Sequence, residues 1–598
     1  MPAPDRLTGQ HPPRPLLALT VGITGHRTLD PAVEPALAAA VGGVLARMRA
    51  DVGRIAEQQR GRFADEPSRL TMVSGLAAGA DQIAAETALA QGYRLVALLP
   101  FDQDHYATTM APAERARMAS LVARADHVWT PPAGSVSGAA AYVLAGDVTV
   151  AGCDLLIAVW DGEPERGPGG TAAVVAEAVR RGVPVVHVPS DGGPPELLWA
   201  GLDAVPPDRL RLDTVPACEL DDAALAQTLA VLLTPPLPAT ELDDYLAETE
   251  QLRRWRAEWP LLLAVTGVQS LRRGFLKAMP YRAANREDWA GHAEGCAAAG
   301  AAPQGHDRLE AAFAWADGLA THYAHIFRSG LVFNFFGASV AVVFALLAAL
   351  LPGAKIPLLI AELLVVGAVV ANTSIGNGQQ WHRRWLDYRY LAETLRLQRS
   401  LRMLGAASPP GRDLIGPRRW TDWYALAIWQ GLPHPCAPPD QAGFTALARH
   451  IVAHELDGQI AYHHLVHDRM HRLDHRLHSG GQALLMLTGL IGVGTLLGLI
   501  VAYAAIKPFS LELSLLSAAL PTLGGALFGL RGAGDFAGVA RRSQATAERL
   551  ARVAALLRRD GLSPMLAARA LEEAAAIMLA DLAEWRSSYA DRKLAVPS

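Results

Sequence analysis

The residues best placed to do chemistry in this chain lie in three glycine-rich turns. Val21-Gly22-Ile23-Thr24-Gly25-His26-Arg27 follows one apolar run and Ser74-Gly75-Leu76-Ala77-Ala78-Gly79-Ala80-Asp81 follows another. The third begins at Asp161-Gly162 and continues through Gly167-Pro168-Gly169-Gly170-Thr171. Glycine lets a backbone come close to a ligand because no Cβ stands in the way. The second and third turns each open a helical pattern, and free N–H groups at a helix start, together with the helix dipole, attract phosphate. These turns predict two anion-ready N-termini, the later one with the Thr171 hydroxyl beside it. The candidate ligand-binding residues are Gly22, Thr24, Gly25, His26 and Arg27, then Ser74, Gly75, Leu76, Gly79 and Asp81, then Asp161, Gly162, Gly169, Gly170 and Thr171. Arg27, Asp81 and Asp161 are suited to orient a phosphate or ribose. Each turn also has a plainer reading. Strand-to-helix turns need glycine for geometry, Asp161 suits a turn or helix cap, and His26 suits a donor within its own turn.

The elements that must position these turns follow from periodicity. Leu16 to Gly25, Arg69 to Gly75, Tyr93 to Pro100, Asp126 to Thr130, Asp154 to Trp160 and Val183 to Pro189 read as strands, with helical patterns between them. This alternation predicts an α/β Rossmann-like, doubly wound parallel sheet over 16–205, after a disordered stretch at 1–15. Ligands of such sheets sit beyond the carboxyl ends of the strands, where all three turns fall.

Beyond 310 the pattern changes to an all-α membrane region. Segments 331–351, 356–375, 482–505 and 511–530 are apolar and close to the roughly 20 residues that span a bilayer. Pro352-Gly353-Ala354-Lys355 and Lys507-Pro508-Phe509 join them into two hairpins, within units at 311–480 and 481–598. Arg328, Arg383, Arg384 and Arg389 flank the first hairpin and Arg472, Arg476, Arg531, Arg541 and Arg542 the second. This excess predicts a multi-pass inner-membrane protein with both termini cytoplasmic. The phrase Tyr390-Leu391-Ala392-Glu393 after one hairpin and Thr546-Ala547-Glu548 after the other suggests a tandem duplication. Asn334 and Glu362 are the polar residues to explain within the spans, either lining a pore or, for Glu362, reaching the surface. Pro521, Gly524 and Gly525 favour close helix packing, and four spans per chain suggest a homo-oligomer. His463, His464, His467, His471, His475 and His478 have helical spacing but no accompanying acidic set, so no metal is expected there.

Composition narrows the partners. A net charge of −4 over 598 residues argues against nucleic acid, and four scattered cysteines form no CxxC pair. The run Leu16 to Val21 is unlike a secretory signal. Residues 206–310 read as a connector, with a charged helix over Glu241 to Trp259 and no visible chemistry. Between Leu319 and Ser329 neither glycine nor proline interrupts the approach to the first span.

The strand-GxxGHR start, the SGLAxGAD turn and the CDLLIAVWDG…GPGGTA segment resemble the SLOG superfamily over about residues 16–190. The hairpin units, with Tyr323, Phe327 and Arg328 before the first span and Trp385, Tyr388, Arg389 and Glu393 after it, look like SLATT-type two-span effector domains. The resemblance implies a sensor of a nucleotide-derived signal, of NAD, ADP-ribose or cyclic-nucleotide type, coupled to membrane disruption or conduction in antiviral defence. It implies no cofactor beyond that ligand. The hydrolase branch of the superfamily places a glutamate where this chain has Val174, and Glu177 lies one turn on. A membrane-anchored nucleotide glycosidase is the alternative, and a constitutive channel a third reading.

Overall fold

The computed structural model describes residues 9–199, 201, 211–252, 255–271, 277–303, 305–410, 418–434, 436–589 and 594. An eight-stranded sheet has the order β4-β3-β2-β1-β5-β6-β7-β8. Its strands are β1 Ala18–Gly25, β2 Arg69–Ser74, β3 Arg94–Leu98, β4 His127–Trp129, β5 Leu155–Trp160, β6 Val185–Pro189, β7 Glu196–Leu198 and β8 Ala217–Glu219. The first six pair in parallel, and all six residues of β5 are buried, as expected of a strand covered on both faces. The covering helices are α1 Glu34–Gln58, α2 Ala80–Ala90, α3 Gln103–Ala107, α4 Pro112–Arg124, α5 Ala139–Gly152 and α6 Thr171–Arg180. On α1, Leu37, Val41, Val44, Leu45, Met48, Val52 and Ile55 recur every three or four residues and form its buried stripe.

Two features correct the expected boundaries. Strands β7 and β8 add antiparallel edges, and α7 Asp222–Leu233 packs on α1, so the sheet unit runs past 205. At the other end, residues 1–8 of the stretch expected to be disordered lie outside the described residues. Residues 9–15 pack on the body: His11 Nδ1 lies 3.0 Å from the Glu248 carbonyl, and Tyr424 donates to the Pro13 carbonyl at 2.5 Å.

In the connector, α8 Thr240–Leu246 and α9 Glu258–Val265 replace the single helix expected over 241–259. Tertiary partners explain the break. The Glu248 carboxylate is buried and accepts from Tyr323 Oη (2.8 Å), Tyr388 Oη (2.9 Å) and Arg384 (2.6 Å). Arg256, also buried, pairs with Glu258 at 2.7 Å and donates to Asn372 at 2.5 Å. The connector ends with α10 Tyr281–Ala298.

The helical region comprises α11 Asp307–Leu350, α12 Lys355–Gly378, α13 Trp381–Met403, α14 Trp420–Gln430, α15 Gln441–Ile451, α16 Asp457–Val501, α17 Tyr503–Ile506, α18 Ser510–Gly534, α19 Phe536–Leu557 and α20 Pro564–Tyr589. The two units share one succession: a helix of 44 or 45 residues, a 3₁₀ turn, a helix of 24 or 25, one left-handed residue, then a helix of 23 or 22. The left-handed residues are Gln380 and Asp535. Four helices are long and apolar enough to cross a membrane, and their most apolar windows are only 33, 6, 0 and 17% buried within the chain. Such an apolar belt demands lipid or further protein. Proline and small residues let the helices approach: a Cβ on Gly524 would stand 3.4 Å from the Gly481 carbonyl, and Ser339 Oγ donates to Thr522 O at 3.0 Å between hairpins.

Asn334 does not line a pore. It is fully buried, donates to Thr373 at 2.8 Å and accepts from Asn372 at 2.7 Å, while Asn372 also reaches Gly330 O at 3.2 Å. Glu362 is half-buried on α12, and among the described residues no hydrogen bond or ion pair forms to it. Replacing Asn372 by leucine leaves Asn334, Gly330 O and Arg256 each one partner short. The expected cost is about 1–3 kcal/mol, seen as a lower thermal midpoint of the detergent-solubilised chain, whereas Leu363→Ala on the exposed face of α12 leaves it unchanged.

Candidate ligand cleft at the sheet edge

The strand order reverses between β1 and β5, and beyond their carboxyl ends lies a cleft of about 540 Å³. Such a switch point is where open α/β sheets hold ligands. Thr24, Gly25, His26 and Arg27 leave β1 to form one wall. Gly75 and Asp81 form the next, and Asp161, Gly169, Gly170 and Thr171 form the loop wall. These ten residues, predicted from three separate turns, are brought together around one space.

Of the other five predicted residues, Gly22, Ser74, Leu76 and Gly79 pack behind the cleft and Gly162 lies outside it. A Cβ on Gly22 would meet Cys153 Sγ at 3.0 Å. Ser74 is buried, donates to Asp81 O at 3.3 Å and accepts from Leu76 N at 3.1 Å, and the Leu76 side chain is itself buried. Gly79, at φ +79°, lies against the carbonyls of His26 and Arg27, where a Cβ would stand 2.5 Å from both oxygens. Gly162 faces open space. Gly25, where a Cβ would stand 2.4 Å from that of Ala80, and Gly79 therefore serve the close approach of one turn to the other. Gly169 is likewise pressed on α5, 2.9 Å from the Tyr142 backbone by the same measure, at φ +75°.

Of the two helix N-termini expected to be open, that of α2 is approached by the protein itself: its first amide, Ala80 N–H, donates to the His26 carbonyl at 3.2 Å. Asp81 sits in the first turn of α2, buried, with Gly75 and Ala77 backbone amides bonded to its carboxyl group. Burial pushes its pKa up to about 7, against the pull of the Ala77 amide, Arg27 and the Gly75 amide. The N-terminus of α6 stays open. Gly170 caps it without a side-chain hydrogen bond, and its first turn has no acidic residue. Free N–H groups there, with Thr171 at the start, form an anion seat.

Around that seat, the Asp161 backbone N–H donates to His26 Nε2 at 3.1 Å, and Asp161 Oδ1 lies 3.2 Å from the same nitrogen. Arg166 donates to Asp161 Oδ2 at 2.6 Å. Burial opposes ionisation of Asp161, but the Glu163 amide, His26 and Arg166 together hold it below the usual carboxylate range. Arg27 stacks its guanidinium 4.7 Å from the centre of the Tyr142 ring. Tyr106, Tyr142, Thr149 and Arg166 complete the lining without having been predicted. Arg166 was findable as the cation inside the glycine loop, whereas α5 offers no local signal for Tyr142. Val174 is packed against Gly146 at the cleft wall. Glu177 is outside the lining, held by Arg180 at 2.7 Å and Arg181 at 2.6 Å.

A second cavity, about 810 Å³, lies where the apolar helices meet the helices that flank them. Trp259, Phe327, Trp385 and Phe536 give it an aromatic lining, and Arg328 reaches within 4.7 Å of the Trp385 ring centre. His463 borders it, while His467 faces the Ala540 carbonyl at 2.9 Å and His478 packs on Phe528.

Asp81 is mostly neutral below about pH 7 and mostly charged above it. Its folded pKa exceeds its unfolded value, so it lowers stability as pH rises from about 4 to 7, and its charge then opposes an anion in the cleft. Affinity of the full chain for pyrophosphate or ADP-ribose is expected to fall as pH rises from 6 to 8, and Asp81→Asn to flatten that profile in titration calorimetry. Comparison of the chain with models of known protein families and with curated proteins finds no match, so its cleft is read from this geometry.

Proposed function

We propose that this chain is a membrane-anchored sensor and effector: the cleft binds a nucleotide-derived anion of NAD, ADP-ribose or cyclic-nucleotide type, and the bound state is passed to the spans. One observation carries the reading. The open N-terminus of α6, with no acidic residue in its first turn, sits in a pocket with Arg27, Arg166 and two tyrosines at the switch point of the sheet. A phosphate meets amides and guanidinium groups there, and the tyrosine rings supply apolar surface for a base or ribose. The resemblance of the three turns to SLOG domains, and of the hairpins to SLATT domains, supports the same assignment and a role in antiviral defence. Glu177, turned into ion pairs with Arg180 and Arg181, supports binding over glycosidic cleavage.

The route to the membrane is mechanical. Leu17, Leu19, Val21 and Ile23 of the β1 segment belong to one hydrophobic cluster with Leu309, Phe313, Trp315 and Leu319 of α11, and α11 continues unbroken to Leu350. Arginines at the open ends of both hairpins support an inner-membrane placement with cytoplasmic termini, and the exposed faces of α12 and α16 support assembly of several copies.

The test uses the full chain, because the sheet shares its core with α11 and α14. Purified protein is incubated with NAD, ADP-ribose, cyclic and linear nucleotides, and bound and free fractions are separated. One intact compound retained, with affinity about tenfold lower in Arg166→Ala, is the expected result; a released base or ribose product identifies an enzyme instead. In dye-loaded proteoliposomes that compound triggers leakage. Thr321→Pro, which interrupts α11 on an exposed face, is expected to keep binding within about threefold and abolish leakage. Leakage at the wild-type level in that variant refutes transmission through α11.

A further inference from the structure

Three imidazoles and a thiol converge far from the cleft, on elements that neither the cleft nor the spans use. His292 and Cys296 stand one turn apart on α10. His450 lies on α15, and His454 lies in the π-helical turn Val452–Leu456 that follows it. His292, Cys296 and His450 each offer a ligand atom, and these atoms all lie within 4.8 Å of one another. Cys296 Sγ is 3.6 Å from His292 Nε2. The three ring centroids form a nearly equilateral triangle with sides of 5.5, 5.4 and 5.4 Å. A tetrahedral ion with metal–nitrogen bonds of about 2.0–2.1 Å and a metal–sulfur bond of about 2.3 Å sets nitrogen–sulfur edges of roughly 3.5 Å and imidazole centroids roughly 5 Å apart. The ring spacings lie close to the second value, and the ligand atoms of His292, Cys296 and His450 would draw closer than their present 4.8 Å limit around an ion.

The polar accounting points the same way. His292 Nδ1 and His454 Nδ1 are buried with no hydrogen-bond partner among the described residues, and orphaned buried nitrogens call for an occupant. The outward nitrogens have second partners of the kind that orient metal ligands: His450 Nε2 lies 3.1 Å from the His292 carbonyl, and His454 Nε2 lies 3.7 Å from Asp288 Oδ1.

We infer that His292, Cys296 and His450, with the His454 ring beside them, form a site for a divalent ion of the zinc class, clipping the connector helix α10 to the α15 end of the bundle. The chemistry of sulfur and imidazole selects zinc over magnesium or calcium.

The experiment is metal analysis of the full chain, purified in detergent without a histidine tag, followed by exchange into cobalt. The expected result is one equivalent of zinc per chain, a cobalt form with a near-ultraviolet thiolate charge-transfer band, and a thermal midpoint lowered by chelator. Cys296→Ser removes the band, while His467→Ala/His471→Ala on α16 retains both metal and band. Absence of metal, with no cobalt spectrum in the wild-type chain, overturns the site. So does a cobalt spectrum that Cys296→Ser leaves unchanged, which places the ion elsewhere.

Discussion

Helix α11 carries 44 residues without interruption, a length of about 66 Å at 1.5 Å per residue, and it has to satisfy two solvents along that length. Its first half, through Leu309, Phe313, Trp315 and Leu319, is buried in the same cluster as the strands of the sheet. Its second half is apolar and half-covered, as a span must be. The sheet and the spans are consequently joined by a rod rather than a tether. Gly318 and Gly330 do not loosen it, because Tyr281 covers the first, and Asn372, Trp381 and Arg256 enclose the second. The Glu248 carboxylate, holding Tyr323 from α11 and Tyr388 and Arg384 from α13, fixes the rod just before it enters the spans.

Helix α13 supplies the second constraint. Arg396 and Arg399 reach Glu455 at 2.5 and 3.0 Å, Arg399 reaches Asp288 at 2.6 Å, and Glu393 binds Arg389 and Arg396. Burial works against the Glu393 charge, yet Arg389 and Arg396 hold its carboxyl at about 2. Buried ion pairs recover their desolvation cost only when geometry is good, so such a network fixes register more than it adds stability. Glu455 sits in the π-helical turn that also carries His454, and π turns recur where side chains must be re-aimed. The second unit shows what the network requires. Glu548 follows Asp535 by thirteen residues just as Glu393 follows Gln380, yet Glu548 is exposed and accepts from Gln544 at 3.1 Å. Of these two equivalent positions, Glu393 is a buried ionic anchor and Glu548 is not, although helices of both units pack on the sheet.

Strand positions and hairpin turns were legible because they rest on local signals: apolar runs of length five to eight ending in glycine, and proline between long apolar segments. Ten of the fifteen predicted cleft residues line the cleft for the same reason, since a parallel sheet gathers its strand ends on one edge. What was not legible depends on long-range partners. Nothing local shows that Gly25 and Gly79 face protein, that the buried Asp81 carboxyl turns back to the Gly75 and Ala77 amides, or that Asn334 meets Asn372. The charged pattern over 241–259 has helical composition, but Glu248 and Arg256 find buried partners outside any single helix. The histidine pairs at 292/296 with cysteine and at 450/454 have visible four-residue spacing, yet 158 residues separate them, and only folding brings them to one point.

The uneven burial of the four spans bears on how a membrane effector of this design works. Helix α11 contacts α12 and α18 and is the most covered of the four, whereas the apolar windows of α12 and of the helix ending at Val501 are 6 and 0% buried. The internal polar groups, Asn334, Asn372 and Thr373, spend their hydrogen bonds on one another and on Gly330, so they hold the first hairpin together and offer no wet path through the chain. Glu362, half-buried on the outer helix α12, is an ionisable group left over, and Glu512 lies exposed in the first turn of α18. An ionised carboxyl at membrane depth is stable beside water or protein and costly beside lipid tails. On the sensor and effector reading, the surface where neighbouring copies meet around α12 is thus where a polar path has to be built. On that same proposal, a rotation of α11 would move that surface, because α12 packs along it. Ligand binding in the cleft and a change at Glu362 would then be two ends of one helix motion, linked by side chains that local sequence shows only as an apolar stripe.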